Sequence, residues 1–169
     1  EVVVTITRGG YAKRTPLSVY RAQKRGGKGR TGAGIPEEDV IEHLFVASTH
    51  DYLLVFTNRG KVHWVKVYDL PSLGPTTRGK ALVNLLSVEP GERVAAMTTT
   101  REFPEDKFLL FATKRGLVKK TVLSAYGNPR AAGIIAINLE EGDELLSVEI
   151  TDGSRQVFLG TRTAMAIKF

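Results

Sequence analysis

An apolar run, a threonine, a tight basic turn and a second short strand recur along this chain about every fifty residues, and that recurrence restricts the fold more than any other feature. The copies are Val4-Thr5-Ile6-Thr7-Arg8-Gly9-Gly10, Leu54-Val55-Phe56-Thr57-Asn58-Arg59-Gly60 and Phe111-Ala112-Thr113-Lys114-Arg115-Gly116, with a degraded fourth, Leu159-Gly160-Thr161-Arg162-Thr163-Ala164. Aligned on Gly10, Gly60, Gly116 and Ala164, they are spaced by 50, 56 and 48 residues, and two positions later each carries a small apolar residue: Ala12, Val62, Val118 or Ala166. β-Rich runs flanking a glycine-containing turn read as hairpins, the glycine supplying the positive φ that such turns need.

A second landmark follows in each unit, because Gly27, Gly79 and Gly133 lie 17, 19 and 17 residues after the turn glycine. In units two and three it leads into an apolar segment, Ala81-Leu82-Val83-Asn84-Leu85-Leu86 or Ile134-Ile135-Ala136-Ile137-Asn138-Leu139, expected as a strand. Each then meets an acidic turn, Glu89-Pro90-Gly91-Glu92 or Glu140-Glu141-Gly142-Asp143. Several short strands per repeat describe a propeller-type blade that buries its faces against its neighbours, so an all-β fold of three to four blades is expected. A single β-sandwich accounts for the strands but leaves the repeat unexplained. The units run over 1–50, 51–106 and 107–156, with a fourth beginning at 157–169. Closed propellers use about four to eight blades, and the sequence stops in a strand, Met165-Ala166-Ile167-Lys168-Phe169; a partial ring with unpaired strand edges is therefore expected.

The 169 residues are 42% hydrophobic, enough to bury a core, and contain no apolar run long enough to span a bilayer and no signal-peptide pattern, so a soluble intracellular protein is expected. With no cysteine, disulfides and thiolate metal sites are excluded. His43, His50 and His63 show no metal-ligand spacing, His50-Asp51 reads as a turn, and Gly27-Lys28 lacks the remainder of a P-loop. No nucleophile and base stand together. The net charge of +6 is a local property: residues 1–30 hold eight cations (Arg8, Lys13, Arg14, Arg21, Lys24, Arg25, Lys28, Arg30) against Glu1, while the rest of the chain has 16 basic and 17 acidic groups. Such clustering points to a polyanionic partner.

Its centre is Gln23-Lys24-Arg25-Gly26-Gly27-Lys28-Gly29-Arg30-Thr31-Gly32-Ala33-Gly34, which stands where units two and three have their glycine and apolar segment. A segment of glycines and cations buries little apolar surface and is expected as an exposed loop whose backbone approaches a phosphate chain closely while Lys and Arg neutralise it. The heptad Gln23, Lys24, Arg25, Gly26, Gly27, Lys28, Gly29 resembles the Q-R-R-G-G-K-G signature box of the DNA gyrase A C-terminal domain family, with Lys24 in place of the first arginine. The Thr7–Arg14, Thr113–Gly116 and Ile134–Leu139 segments resemble blade sequences of the same family, so that the likeness covers essentially the whole chain.

The resemblance implies a β-pinwheel, a propeller-like ring of six blades with strands exchanged between neighbours, around whose basic rim duplex DNA is wrapped in support of negative supercoiling. It implies a bacterial cytoplasmic enzyme made of a dimer of gyrase A chains together with gyrase B, in which ATP and Mg²⁺ act elsewhere and this region holds no cofactor or metal and performs no catalysis. Tyr11 and Tyr20 lie outside the family's cleavage motif. Beyond the box, candidate DNA contacts are the basic turns and nearby cations, taken to recur at one structural place: Arg8 with Lys13 and Arg14, Arg59 with Lys61, Lys114 and Arg115 with Lys119 and Lys120, and Arg162. Arg21, Arg30, and the landmark cations Arg78, Lys80 and Arg130 complete the set. Trp64, Tyr68, Phe56 and Phe111 read as blade packing. Two rival readings are the related wrapping domain of topoisomerase IV and a protein-interaction propeller that does not touch DNA.

Overall fold

The computed structural model describes residues 1–21, 39–162 and 166–168; the signature box and Arg30 lie outside the described residues. The strands are β1 (Val2–Thr7), β2 (Tyr11–Pro16), β3 (Ile41–Ala47), β4 (Tyr52–Thr57), β5 (Lys61–Lys66), β6 (Lys80–Ala81), β7 (Val94–Thr100), β8 (Phe108–Thr113), β9 (Val118–Val122), β10 (Ile134–Ile135), β11 (Leu145–Thr151), β12 (Phe158–Gly160) and β13 (Ala166–Lys168). A four-residue helix, α1 (Ser18–Arg21), follows β2.

Each of the first three units builds an antiparallel hairpin whose first strand also pairs with the last strand of its unit, and in the first two sheets a fourth strand arrives from the next unit. The orders are β3-β1-β2-β6, β10-β5-β4-β7 and β11-β8-β9, with β12 and β13 paired separately. Ala81 and Lys80 pair with Tyr11 and Ala12, and Ile134 and Ile135 with Val62 and Lys61. Among the described residues β9 has no fourth strand on its outer edge. The expected all-β, propeller-like architecture with exchanged strands is what the chain adopts.

The six-residue strands expected at 81–86 and 134–139 are shorter than predicted. Each pairs over two residues and then turns inward, Leu82–Asn84 closing as a 3₁₀ turn. The reason lies just past the paired residues. The N–H groups of Leu82 and Ala136 donate to the Gly10 and Gly60 carbonyls at 2.8 Å each, and Leu82, Ala136 and Ile137 leave the sheet plane to enter the core. Apolarity here plugs the gap between blades.

Alternation along the strands sorts side chains into two inter-blade cores. Val2, Val4, Ile6 and Ala12 of the first blade meet Leu53, Val55 and Val65 of the second, closed by Leu82. The opposite face of the second blade, Leu54, Phe56 and Val62, meets Leu109, Phe111, Leu145 and Val148 of the third. Phe56 and Phe111 touch edge to face, with ring centroids 5.6 Å apart. Each such side chain contributes about 1.5–3 kcal/mol when buried, so packing between blades outweighs any hydrogen bond on the surface. Trp64 is anchored in the same layer by its indole N–H, which donates to the Tyr126 carbonyl at 2.9 Å. Tyr68, expected in packing, remains half exposed because it lies on the turn Val67–Asp69 outside the sheet.

Candidate nucleic-acid interface

The repeated turn owes its shape to the threonine before it. The carbonyls of Thr7, Thr57 and Thr113 accept from the N–H of Gly10, Gly60 and Gly116 at 2.9–3.0 Å, and their hydroxyl oxygens accept from the N–H of Tyr11, Lys61 and Leu117 at 3.2, 3.3 and 3.0 Å. The glycines have φ of +83°, +82° and +87°, as the turn requires.

A carboxylate then locks the turn from the segment entering the third strand. Asp39 Oδ1 accepts from the Gly9 N–H and Asp143 Oδ1 from the Arg115 N–H, at 2.9 and 3.0 Å. The Thr7 hydroxyl beside Asp39, together with the Gly9 and Val40 N–H groups and the Arg78 charge, holds that carboxyl below its usual range against a smaller effect of burial. Burial pushes Asp143 upward, but the Thr113 hydroxyl, two backbone N–H groups and Arg115 outweigh it and lower the group. In unit two Glu92 accepts from the Glu89 N–H at 2.9 Å within its own acidic turn; burial raises it, whereas the Thr57 hydroxyl, the Glu89 N–H, Lys61 and His63 bring it below the ordinary value. Sequence reasoning missed these acids. The signal was present, since they stand 29, 32 and 27 residues beyond Gly10, Gly60 and Gly116, but the acidic turns read as punctuation.

The turns line up along one edge of the blade stack. Arg8 and Gly10 share a cleft with Val94, where β7 begins beside the second turn. The Leu145 N–H donates to the Asn58 carbonyl, and the Lys114 N–H to the neighbouring Glu144 carbonyl, joining the second turn to the third. Their cations do not occupy one equivalent place, as the repeat suggested. The N–H groups of Arg8, Asn58 and Lys114 make the same bond, to Val40, Arg93 and Glu144 carbonyls; Arg59 and Arg115 therefore match Gly9, one position further on.

Nor do the cations share one environment. Arg8, Arg78, Lys80, Lys114, Arg115, Lys120, Arg130 and Arg162 are exposed. Lys120 Nζ lies 4.9 Å from the Phe108 ring centroid. Arg59 is exposed but engaged by Glu89 at 3.0 Å, and Lys61 approaches the same carboxylate at 3.8 Å. Arg93, which the sequence did not single out, joins blade two to Glu144 of blade three at 3.1 Å. Lys119 reaches the Ala136 carbonyl at 3.2 Å, and Arg14 Nε donates to the Leu70 carbonyl at 2.9 Å. Arg21 ends α1; its side chain is outside what is described.

Lys13 must be withdrawn from the candidate contacts. It is 4% exposed, and its ammonium donates to the carbonyls of Gly74, Pro75 and Thr77 at 3.1, 2.8 and 2.6 Å. Burial lowers its pKa, and all three of its N–H donors are used. It ties the crossing segment of unit two to blade one.

The two sequence landmarks each press against the preceding blade. Gly79, at φ +91°, lies so close to the Ala12 carbonyl that a Cβ would stand 2.7 Å from the oxygen; at Gly133, φ +71°, a Cβ would stand 2.7–2.8 Å from the His63 ring and the Val62 carbonyl. Glycine is needed where the exchanged strand lands on its neighbour. Among the described residues no His/Cys/Asp/Glu group is arranged to hold a metal, and no helix is long and apolar enough to cross a membrane.

A family model described as "DNA gyrase C-terminal domain, beta-propeller" matches residues 1–48, 51–101 and 107–152. The A subunit of DNA gyrase from Neisseria gonorrhoeae is 51% identical over 169 residues, all of this chain and 18% of that protein. Its counterpart from Halalkalibacterium halodurans is 48% identical over 168 residues, 99% of this chain and 20% of its own length. This chain thus spans about a fifth of the relatives it matches. Among solved structures, the C-terminal domain of DNA topoisomerase IV superposes with a TM-score of 0.83 at 30% identity, over 99% of this chain and 50% of that one. A DNA gyrase A C-terminal domain does so with a TM-score of 0.69 at 24% identity, over 99% and 53%. Exchanged strands, repeated basic turns and a family match running through three successive units converge on one conclusion: the chain belongs to the DNA gyrase C-terminal domain family.

Proposed function

We propose that this chain binds duplex DNA and bends it along its row of basic turns, as the wrapping part of a gyrase A protein, with strand cleavage and ATP hydrolysis carried by other parts of the longer enzyme and by gyrase B. The observation that carries the reading is the alignment of successive turns along one edge, each tip exposing a cation, in a chain of this family. Gln23, Lys24, Arg25, Gly26, Gly27, Lys28 and Gly29 are proposed as the principal contact, with Arg8, Arg78, Lys80, Arg115 and Arg162 supporting it. The functional repeats are proposed as 1–50, 51–106, 107–156 and 157–169, and the site of action as the bacterial cytoplasm.

Physically, a bend of 40–90° in a short site costs on the order of 1–6 kcal/mol, which distributed phosphate contacts offset. Neutralising six phosphates makes affinity fall about 10³-fold between 50 and 200 mM salt. A gel-shift titration of linear duplex at those two salt concentrations, with a circular-permutation bending assay, tests this. Absence of binding at 50 mM overturns the DNA reading; binding without bending overturns wrapping. Replacing Lys24, Arg25 and Lys28 by Ala should weaken binding and bending while leaving the thermal transition in place.

A further inference from the structure

We infer that the junction between the first and second blades carries a composite phosphate-binding site, in which Arg78 of unit two is the ligand to a DNA phosphate and Tyr11 of unit one is the residue that positions it. The inference rests on the DNA-binding reading above and adds to it an element that neither unit contains alone.

The geometry begins with strand exchange. Pairing of Ala81 with Tyr11 and of Lys80 with Ala12 fixes the register of the crossing segment, and Gly79 lies against the Ala12 carbonyl so closely that a Cβ there would stand 2.7 Å from its oxygen. Residue 78 is thereby delivered beside Tyr11. The Arg78 guanidinium carbon lies 3.7 Å from the centroid of the Tyr11 ring, at stacking distance, where the ring quadrupole attracts the cation. Stacking covers a face of the guanidinium and leaves its in-plane N–H donors, the edge that grips a phosphate in a fork, free to act.

Nothing among the described residues occupies that edge. Among the described residues Arg78 has no hydrogen bond or ion pair there; Asp39 feels its charge without forming a salt bridge, its Oδ1 accepting from the Gly9 and Val40 N–H groups. Three other cations are engaged, Arg59 by Glu89, Arg93 by Glu144 and Lys13 by three carbonyls, while Arg8, Lys80 and Arg115 are exposed as Arg78 is. An exposed arginine ordinarily loses side-chain entropy when it takes up a phosphate; Arg78 has lost part of it in the unbound protein.

The second junction lacks the device. Aligning Gly133 with Gly79 puts Ala132 where Arg78 stands and Ile134 where Lys80 stands, and Lys61 holds the place of Tyr11. Of the two exchanged junctions among the described residues, only the one on the blade whose sequence carries the basic box has the stack, which suits it to anchor the duplex there.

The test uses the whole chain, linear duplex DNA and titrations between 50 and 200 mM salt, with Arg78→Ala, Arg78→Lys, Tyr11→Phe and Tyr11→Leu, and thermal melts for each. Arg78→Ala, at an exposed position, should weaken binding about 3- to 10-fold and reduce the salt slope by about one. Tyr11→Leu should approach it, Tyr11→Phe should bind as the parent does, Arg78→Lys should fall between, and the Tyr11→Leu/Arg78→Ala double variant should be no weaker than Arg78→Ala. An unchanged slope in Arg78→Ala overturns the phosphate ligand; a double variant whose losses simply add overturns the role of Tyr11. If the parent chain itself fails to bind at 50 mM salt, the DNA reading falls and takes this site with it, whereas parental binding with an unaffected Arg78→Ala refutes the site alone.

Discussion

Arg59 donates from Nη1 to Glu89 Oε2 at 3.0 Å, and from Nη2 to the Pro90 carbonyl at the same distance, so the cation at the tip of the second blade is held by that blade's own acidic turn. Lys61 shares the other oxygen of the same carboxylate at 3.8 Å. One acid thereby competes with any phosphate for two cations. Glu89→Gln should tighten DNA binding about 2- to 5-fold at 100 mM salt and steepen the salt slope by about one to two. Its melting temperature should change little, because exposed pairs of this kind contribute about 0–1 kcal/mol. Titration of both proteins against one duplex decides the matter; equal affinities and slopes refute the competition.

Gly116 and Gly133 both have positive φ, but only the second is crowded. Gly116→Ala should cost about 1–2 kcal/mol, the strain of a left-handed alanine. Gly133→Ala adds a clash with the Val62 carbonyl and the His63 ring, a further 1–3 kcal/mol or so, and should dislodge β10 from β5. Denaturant unfolding gives the totals, and amide exchange at Ile134 and Ile135 shows where the second loss arises. Equal costs at the two positions contradict the landing-site role of Gly133.

Thr57 is fully buried and serves two partners: its oxygen accepts from the Lys61 N–H, and its hydroxyl lies beside the Glu92 carboxylate. Thr57→Val preserves shape and deletes both interactions, leaving Glu92 buried with one donor fewer. A loss of about 1–3 kcal/mol is expected in denaturant unfolding, with Thr57→Ser recovering most of it.

His63 supplies a pH dependence whose sign is fixed. Burial lowers its pKa from the ordinary 6.5, the Glu92 charge opposing that shift and Lys61 adding to it. The folded protein keeps the ring neutral while the unfolded chain takes up a proton below about pH 6.5, so this stability is complete above that pH and is lost as pH falls toward the folded pKa. The lowered carboxyls of Asp39, Glu92 and Asp143 act in a lower window, below the ordinary carboxylate range. The melting temperature should therefore drop between about pH 7.5 and 5.5, and His63→Gln should flatten that interval while leaving the acid limb. An unaltered profile in the variant refutes the assignment.

The hairpins, their spacing and the turn glycines were legible because backbone geometry demands glycine at fixed places and apolar alternation marks the strands. The crossing segments were misread as long strands because Leu82 and Ile137 look the same in sequence whether they continue a sheet or plug a core. Lys13 was misassigned for a related reason: three backbone carbonyls from residues 74–77 take up its ammonium donors, and nothing near residue 13 announces them. The pairing of Tyr11 with Arg78, 67 positions apart, follows only once β6 is known to land on β2.

Because the first sheet, begun at Val2, is completed only by Lys80–Ala81, and the second, begun at Tyr52, only by Ile134–Ile135, the sequence and the fold count their units out of step. During synthesis each of these two sheets waits for the next unit to emerge, so a growing chain carries an unfinished sheet behind its advancing end. Removal by proteolysis works in reverse. A cut between Thr100 and Phe108 that lets the following unit drift away strips the closing strand from the one before it, and two blades fail from a single nick.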